Sequence, residues 1–295
     1  MLIHGIWLCY GIPSFLFVVF FIFFLRGREF RYSFYRVIQC DMGINIFCYL
    51  NTWISRLYHI PSTIPLMIWV NDNFYALFHF YIFFVNFFYN AQAMSVIVTA
   101  THRLWSSRPM SNMEFWRHNY GYIYLGVLIL SGLHAVSAKL LELNKPDYYD
   151  HVTQKFVSSP IDPETIVIHD RIFLVKSSAY FVILLYINIS TISNLIKRFP
   201  HNSSTVQSNK IMRSLTTIAF INSFLFFLVL LVPLSPMVNI TMTEDYRYNA
   251  TMLMSDVMSL FFPYMLILFD RNVQNKLMKL FGTKAVADRV RSSMT

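Results

Sequence analysis

The stretch "AMSVIVTATHRLWSSRPM" (residues 93–110) stays apolar for two helical turns. It then breaks into His102 and Arg103, with Trp105, Arg108 and Pro109 close behind. Upstream, the apolar run reaches back to residue 74. A helix of about 20 mostly apolar residues crosses the hydrocarbon core of a bilayer, so 74–101 is long enough to span. The C-terminal dipole favours a cation at the end of such a helix, and the long arginine side chain reaches lipid headgroups from there. Trp105, Phe115 and Trp116 fit the same boundary as aromatic anchors.

Composition extends this reading to the whole chain. Hydrophobic residues make up 56% of the 295 residues and charged residues 13%, with 29 Phe and 18 Tyr. Soluble domains carry about 25% charged residues. So little charge does not cover a surface in water, and the chain reads as an integral membrane protein. Cys9, Cys40 and Cys48 lie in apolar runs, with neither metal-ligand spacing nor a disulfide framework. The nine histidines are scattered, and no two stand at i, i+3 or i, i+4 within one apolar stretch. Only 8 glycines occur, with no phosphate-cradling loop and no nucleophile beside a base. Neither an enzyme nor a metal, cofactor or nucleic-acid partner is expected.

Seven stretches have the character of spans: 3–25, 34–55, 74–101, 120–141, 172–196, 214–233 and 251–269. The expected fold is an all-α membrane protein, a seven-transmembrane helix bundle. Residues 60–70, "IPSTIPLMIWV", are apolar but too short to cross. Pro61 and Pro65 there predict an interfacial loop segment. Alternate loops hold 16 Lys and Arg. They are Arg26, Arg28 and Arg31; Arg103, Arg108 and Arg117; Lys197, Arg198, Lys210 and Arg213; and Arg271, Lys276, Lys279, Lys284, Arg289 and Arg291. The opposite loops hold 5: Arg56, Lys145, Lys155, Arg171 and Arg247. The richer side is cytoplasmic by the positive-inside rule, which puts the N-terminus outside and the C-terminus in the cytoplasm. The first stretch lacks a charged start and exceeds a signal-peptide core, so it is expected to remain as an anchor.

Residues 270–281, "DRNVQNKLMKLF", space Val273, Leu277 and Leu280 by four and three, with Arg271, Lys276 and Lys279 alongside. That pattern predicts a short amphipathic helix on the inner leaflet. The chain therefore divides into a seven-transmembrane helical domain, 1–269, and a cytoplasmic amphipathic segment and tail, 270–295. Two sequons, at Asn239 and Asn249, fall in the outer loop before the seventh stretch and are candidate glycosylation sites. Those at Asn188, inside a span, and Asn202, on the cytoplasmic side, are not.

An ionisable group at the centre of a span costs roughly 2.5–3.5 kcal/mol on insertion scales, so it faces the bundle interior. Asp41, Asn45, Cys48 and Thr52 share one helical face. His79, Phe83, Asn86 and Asn90 share another, and Asp256, Ser259 and Pro263 a third. The asparagines read first as interhelical hydrogen bonding. Asp41 and Asp256 lean towards function, since ionisable groups are costlier to keep. His79, in the aromatic run "YALFHFYIFF", lies in the outer half of its span, where a ligand reaches. A hydrogen-bonded core histidine fits the same position.

Three stretches carry a family likeness: "FRYSFYRVIQCDMGIN" (30–45), "YNAQAMSVIVTATHRLWSSRPMSNMEFW" (89–116) and "LFFPYMLILFDRNVQNKL" (260–277). In this order the chain resembles the serpentine receptors of class gamma, a nematode family of seven-transmembrane G-protein-coupled chemoreceptors. His102-Arg103 stands where rhodopsin-like receptors carry an acid followed by arginine. The resemblance implies a small-molecule ligand in the outer half of the bundle, and the helical faces above offer His79, Phe83, Asn86 and Asp256 as candidate ligand-binding residues. It implies Asp41, His102, Arg103 and Pro263 as candidates for the conformational switch or G-protein coupling. A heterotrimeric G protein on the cytoplasmic face and a plasma-membrane location, sensory cilia included, follow from it. The chain departs from rhodopsin-like receptors in several places. No cysteine occurs in the third stretch or the loop after the fourth, Pro263 is preceded by Phe262, and Leu266 takes a tyrosine position. The alternative is a seven-helix ligand-gated channel or transporter. Insect odorant-gated channels keep the N-terminus inside, against the loop charges, and no inverted repeat is visible.

Overall fold

In a bilayer every backbone N–H and C=O needs a partner within its own segment, so apolar stretches of this length become helices. The structure, a computed structural model, describes residues 2–108, 113–143, 145–198 and 244–280, together with 216–218, 220–221 and 223–228. The helices are α1 (Leu2–Phe24), α2 (Ser33–Leu57), α3 (Ile64–Asn73), α4 (Ala76–Ser107), α5 (Met113–Leu140) and α6 (Pro163–Arg198). A shorter one, α7 (Thr216–Leu228), is described in part. Then come α8 (Glu244–Leu260), α9 (Phe262–Phe269) and α10 (Arg271–Leu280). Among the described residues the fold is all-α apart from one antiparallel hairpin, β1 (Asp147–Asp150) with β2 (Lys155–Ser158), which pairs Tyr148 with Val157.

Four described helices, α1, α4, α5 and α6, are long and apolar enough to cross a membrane. Helices α8 and α9 together make a fifth, bent by 50°. Helix α2 runs for 25 residues but falls outside this group. Its buried residues mix polar Asp41, Asn45, Ser55 and Arg56 with apolar Val37, Ile38, Met42 and Ile44.

Three features differ from the sequence reading. Residues 60–70 are not a loop throughout, because α3 begins at Ile64 with Pro65 in its first turn. A first-turn N–H has no intrahelical partner, so proline there starts a helix instead of breaking one. Helix α4 continues past 101 to Ser107, and α5 begins at Met113, seven positions before the predicted 120. The hairpin was not foreseen. Its Phe156 ring lies 5.1 Å from that of Tyr58 and 6.0 Å from that of Phe78. Asp147 accepts a bond from the Tyr58 hydroxyl at 2.7 Å, and Asn71 Oδ1 accepts from the Tyr149 N–H at 3.1 Å. The hairpin thus covers the end of the bundle where α2 finishes and α4 starts. That end is called the hairpin end below, and the opposite one the α10 end.

Helix α4 is the hub, packed against α2, α5 and α6. The largest core cluster joins α1, α2, α9 and α10 through Phe21, Phe30, Phe34, Leu266 and Val273. Lipid tails are as apolar as these side chains, so close packing holds such helices together. Gly11 shows the requirement, since a Cβ there would collide with the Tyr49 hydroxyl of α2.

Candidate functional site

Among the described residues, three groups of buried polar side chains lie along the bundle. At the hairpin end, Arg56 of α2 meets Asp256 of α8, with Nη2 and Oδ1 2.6 Å apart and both residues buried. The Tyr10 hydroxyl donates to the other Asp256 oxygen. The rings of Trp7, Trp53 and Tyr49 surround the guanidinium at 5.1, 5.2 and 5.7 Å. Their faces attract the cation, although Nε and Nη1 find no hydrogen-bond acceptor. This corrects the assignment of Arg56 to an outer loop, because it ends α2 inside the protein. A signal was available. Asp256 in an apolar stretch needs a cation, and Arg56 is the one Lys or Arg between Arg36 and Arg103.

The middle group centres on Asp41. Its carboxylate accepts from Ser95 and, at 3.0 Å, from Asn45. Gln92 donates to Asn45 at 2.8 Å and to Ser259 at 3.1 Å. Tyr124 lies 3.1 Å from Ser95 and donates to the Val37 carbonyl at 3.0 Å. Four helices, α2, α4, α5 and α8, are tied in one network. Asn90 stands apart from it, accepting from Tyr180 of α6 at 3.1 Å.

The third group lies at the α10 end. His102 is fully buried, with Nε2 2.9 Å from the Ser33 hydroxyl and the Trp116 ring 4.9 Å away. Arg103 is 5% exposed and lies over the Phe34 ring, its Cζ 3.2 Å from the ring centre. Its Nε and Nη2 have no acceptor. Among the described residues no carboxylate pairs with it, although Tyr35 and Asp270 are within electrostatic reach. Tyr35 donates to Asp270 at 2.7 Å. The other Asp270 oxygen accepts the N–H groups of Asn272 and Val273 at 2.8 and 3.4 Å, which caps α10. Two boundary expectations change here. Arg103 sits within α4 instead of ending it, and Trp116 is buried against His102 instead of anchoring in headgroups. Both follow from α4 and α5 being longer than their apolar cores.

Helix α10 is pinned by Lys276, which donates to Glu29 at 2.6 and 2.7 Å. That hydrogen bond holds the Glu29 carboxyl below the usual carboxylate range. Val273 is buried beneath the helix. Pro263 is buried in the first turn of α9, at the bend.

The four candidate ligand residues are not brought together. His79 is exposed against the Tyr75 ring, Phe83 packs on Phe84, and Asp256 is held by Arg56. Asn86 alone lines a cavity of about 230 Å³ between α4, α5 and α6, with Tyr89, His134, His169, Phe173 and Lys176. Sequence reasoning missed this cavity because its walls come from three helices with no shared local pattern. The available signal was Lys176, the one cation inside the fifth apolar stretch. Asn249 is half-buried in α8, and Asn239 lies outside the described residues.

Apolar helices tied together by buried ions and amides define a multi-pass membrane protein. A family model described as Srg family chemoreceptor matches residues 4–277, and the chain belongs to that family. It is 28% identical over 277 residues to serpentine receptor class gamma-53 of Caenorhabditis elegans, covering 92% of this chain and 89% of the relative. It is 25% identical over 289 residues to serpentine receptor class gamma-47 of the same organism, covering 93% and 88%. The family is one of chemoreceptors, not of enzymes.

Proposed function

We propose that this protein is a seven-transmembrane chemosensory receptor. Its N-terminus is outside and residues 270–295 form a cytoplasmic amphipathic segment and tail beyond the 1–269 bundle. It binds a small molecule in the outer half, at the hairpin end, and signals through a heterotrimeric G protein at the α10 end. It resides in the plasma membrane, sensory cilia included, with Asn239 as a glycosylation site. The observation that carries this reading is membership of the Srg family over residues 4–277. The three buried polar groups support it, since they link α2, α4 and α8 from one end of the bundle to the other.

A ligand shifts a two-state bundle only as far as it binds one state better. Arg103 suits the inward end of such a switch. It is a buried cation held by a ring face and a distant carboxylate instead of an ion pair. A small outward movement of α9 and α10 frees it to meet a partner. Arg103→Ala should abolish or distort signalling while leaving the receptor at the surface, where Arg108 and Arg117 still mark the cytoplasmic side. His102→Asp should lower basal activity by supplying an adjacent anion. Surface level and ligand-free second-messenger output are measured together in a heterologous cell. Normal signalling by Arg103→Ala at normal surface level overturns the role given to Arg103.

A further inference from the structure

We propose that the cavity between α4, α5 and α6 is a recognition site for a small amphiphile bearing a carboxylate, with Lys176 as the counter-cation. The proposal rests on the receptor reading above and names the ligand chemistry of its outer half. Lys176 is half-buried, and its Nζ lies 3.1 Å from His134 Nε2. It stands 4.8 Å from the centre of the Tyr89 ring and 6.0 Å from that of Phe173. An ammonium has only donors, so His134 offers it a lone pair and is the neutral ring. One of three ammonium protons is then taken, and two remain for an occupant.

Charge marks the site. Arg56 has Asp256, and Arg103 has Asp270 in reach. The ion pairs of the described residues leave Lys176 without a carboxylate. A cation kept inside a span marks a substrate or ligand path by default, and its missing partner is an anion. A lysine that merely snorkels extends to the headgroups, whereas this one turns onto a histidine and two rings. The remaining wall is largely apolar, with Val85, Ala138, Leu143 and Ile172. An anionic head with a short hydrocarbon body matches that division. The volume is below the roughly 300–1,000 Å³ of drug-sized pockets, so the occupant is small.

The test uses the full chain in nanodiscs of phosphatidylcholine, with radiolabelled octanoate as probe and octanol as its uncharged counterpart. Octanoate should bind saturably. Lys176→Met should weaken it at least tenfold while Lys176→Arg stays within about threefold of wild type. Octanol should bind weakly and equally to all three. Val85→Trp, at an exposed position on the cavity wall, should block octanoate without touching the charge. It keeps the test decisive if Lys176→Met does not fold. Unchanged octanoate binding in Lys176→Met or Val85→Trp, or octanol binding as tightly as octanoate, overturns the site. A second set of discs contains phosphatidylserine. Lys176-dependent retention of that lipid with exclusion of octanoate reassigns the cavity to a headgroup and also overturns it. Binding is read without signalling, so the two readings fail separately. Receptor output that ignores Lys176 sinks the site alone. Lys176-dependent binding with no output from any variant sinks the receptor reading and leaves the site standing.

Discussion

A guanidinium with no exposed surface, a carboxylate at 2.6 Å and three aromatic rings around it is held very differently from a loop arginine. Removing one member of a buried pair leaves the other charged and unpaired, which costs roughly 3–5 kcal/mol, whereas replacing both with apolar groups is often neutral. Asp256→Ala should therefore lower the thermal midpoint of the purified protein sharply, and Arg56→Met with Asp256→Leu should recover most of the loss. A double variant no more stable than the single one would mean the pair is needed as ions. The interior positions of Asp41, Asp256 and Asn90 were legible in the sequence, because their cost in an apolar stretch forces them inward. The role of Arg56 was not. Its partner is 200 residues away, and loop counting assigns a charge by its sequence neighbours alone.

At the scale of elements, the junction of α9 and α10 turns on one side chain. Asp270 caps α10 with one oxygen and receives Tyr35 with the other. Asparagine caps about as well as aspartate, while alanine loses about 1 kcal/mol. Asp270→Asn should keep α10 formed but remove the negative charge near Arg103, raising basal output. Asp270→Ala should do the same and also speed hydrogen exchange at the Asn272 and Val273 amides. Equal exchange in the two variants would show that the cap contributes nothing. Helices α1, α4, α5 and α6 were visible as apolar runs, and α10 as an amphipathic one. The ends of α4 and α5 were not, because apolarity stops where the hydrocarbon stops while the helix goes on. The hairpin was hidden for another reason. Its strands are four residues each, and its docking depends on Tyr58, Asn71 and Phe78, far earlier in the chain.

For the whole molecule, the direction of α2 bears on how many times the chain crosses. Helices α1 and α4 both start at the hairpin end, as the Trp7–Tyr248 and Tyr58–Phe78 ring contacts require. The chain must return between them, and α2 makes that return with Tyr35 at the α10 end and Arg56 at the hairpin end. A polar helix suits that passage because its costly groups face Asp256, Ser95 and Gln92. Loop charge then orients the bundle. Withdrawing the buried Arg56 and Arg103 from the two loop counts leaves fifteen Lys and Arg in the one set of loops against four in the other. The asymmetry is therefore stronger than in the sequence reading, and the hairpin end is expected outside. Termini alone do not test this, since loss of α2 and α7 together leaves five crossings, which like seven put the termini on opposite sides. A cysteine on each side of α2 does. In a Cys9→Ser background, Ser62→Cys should react with an impermeant maleimide on intact cells, and Tyr32→Cys only after permeabilisation. An epitope at the N-terminus should stain with the first, and one after Thr295 with the second. Labelling of both cysteines from outside would mean α2 does not cross, and the seven-span receptor would fall with it.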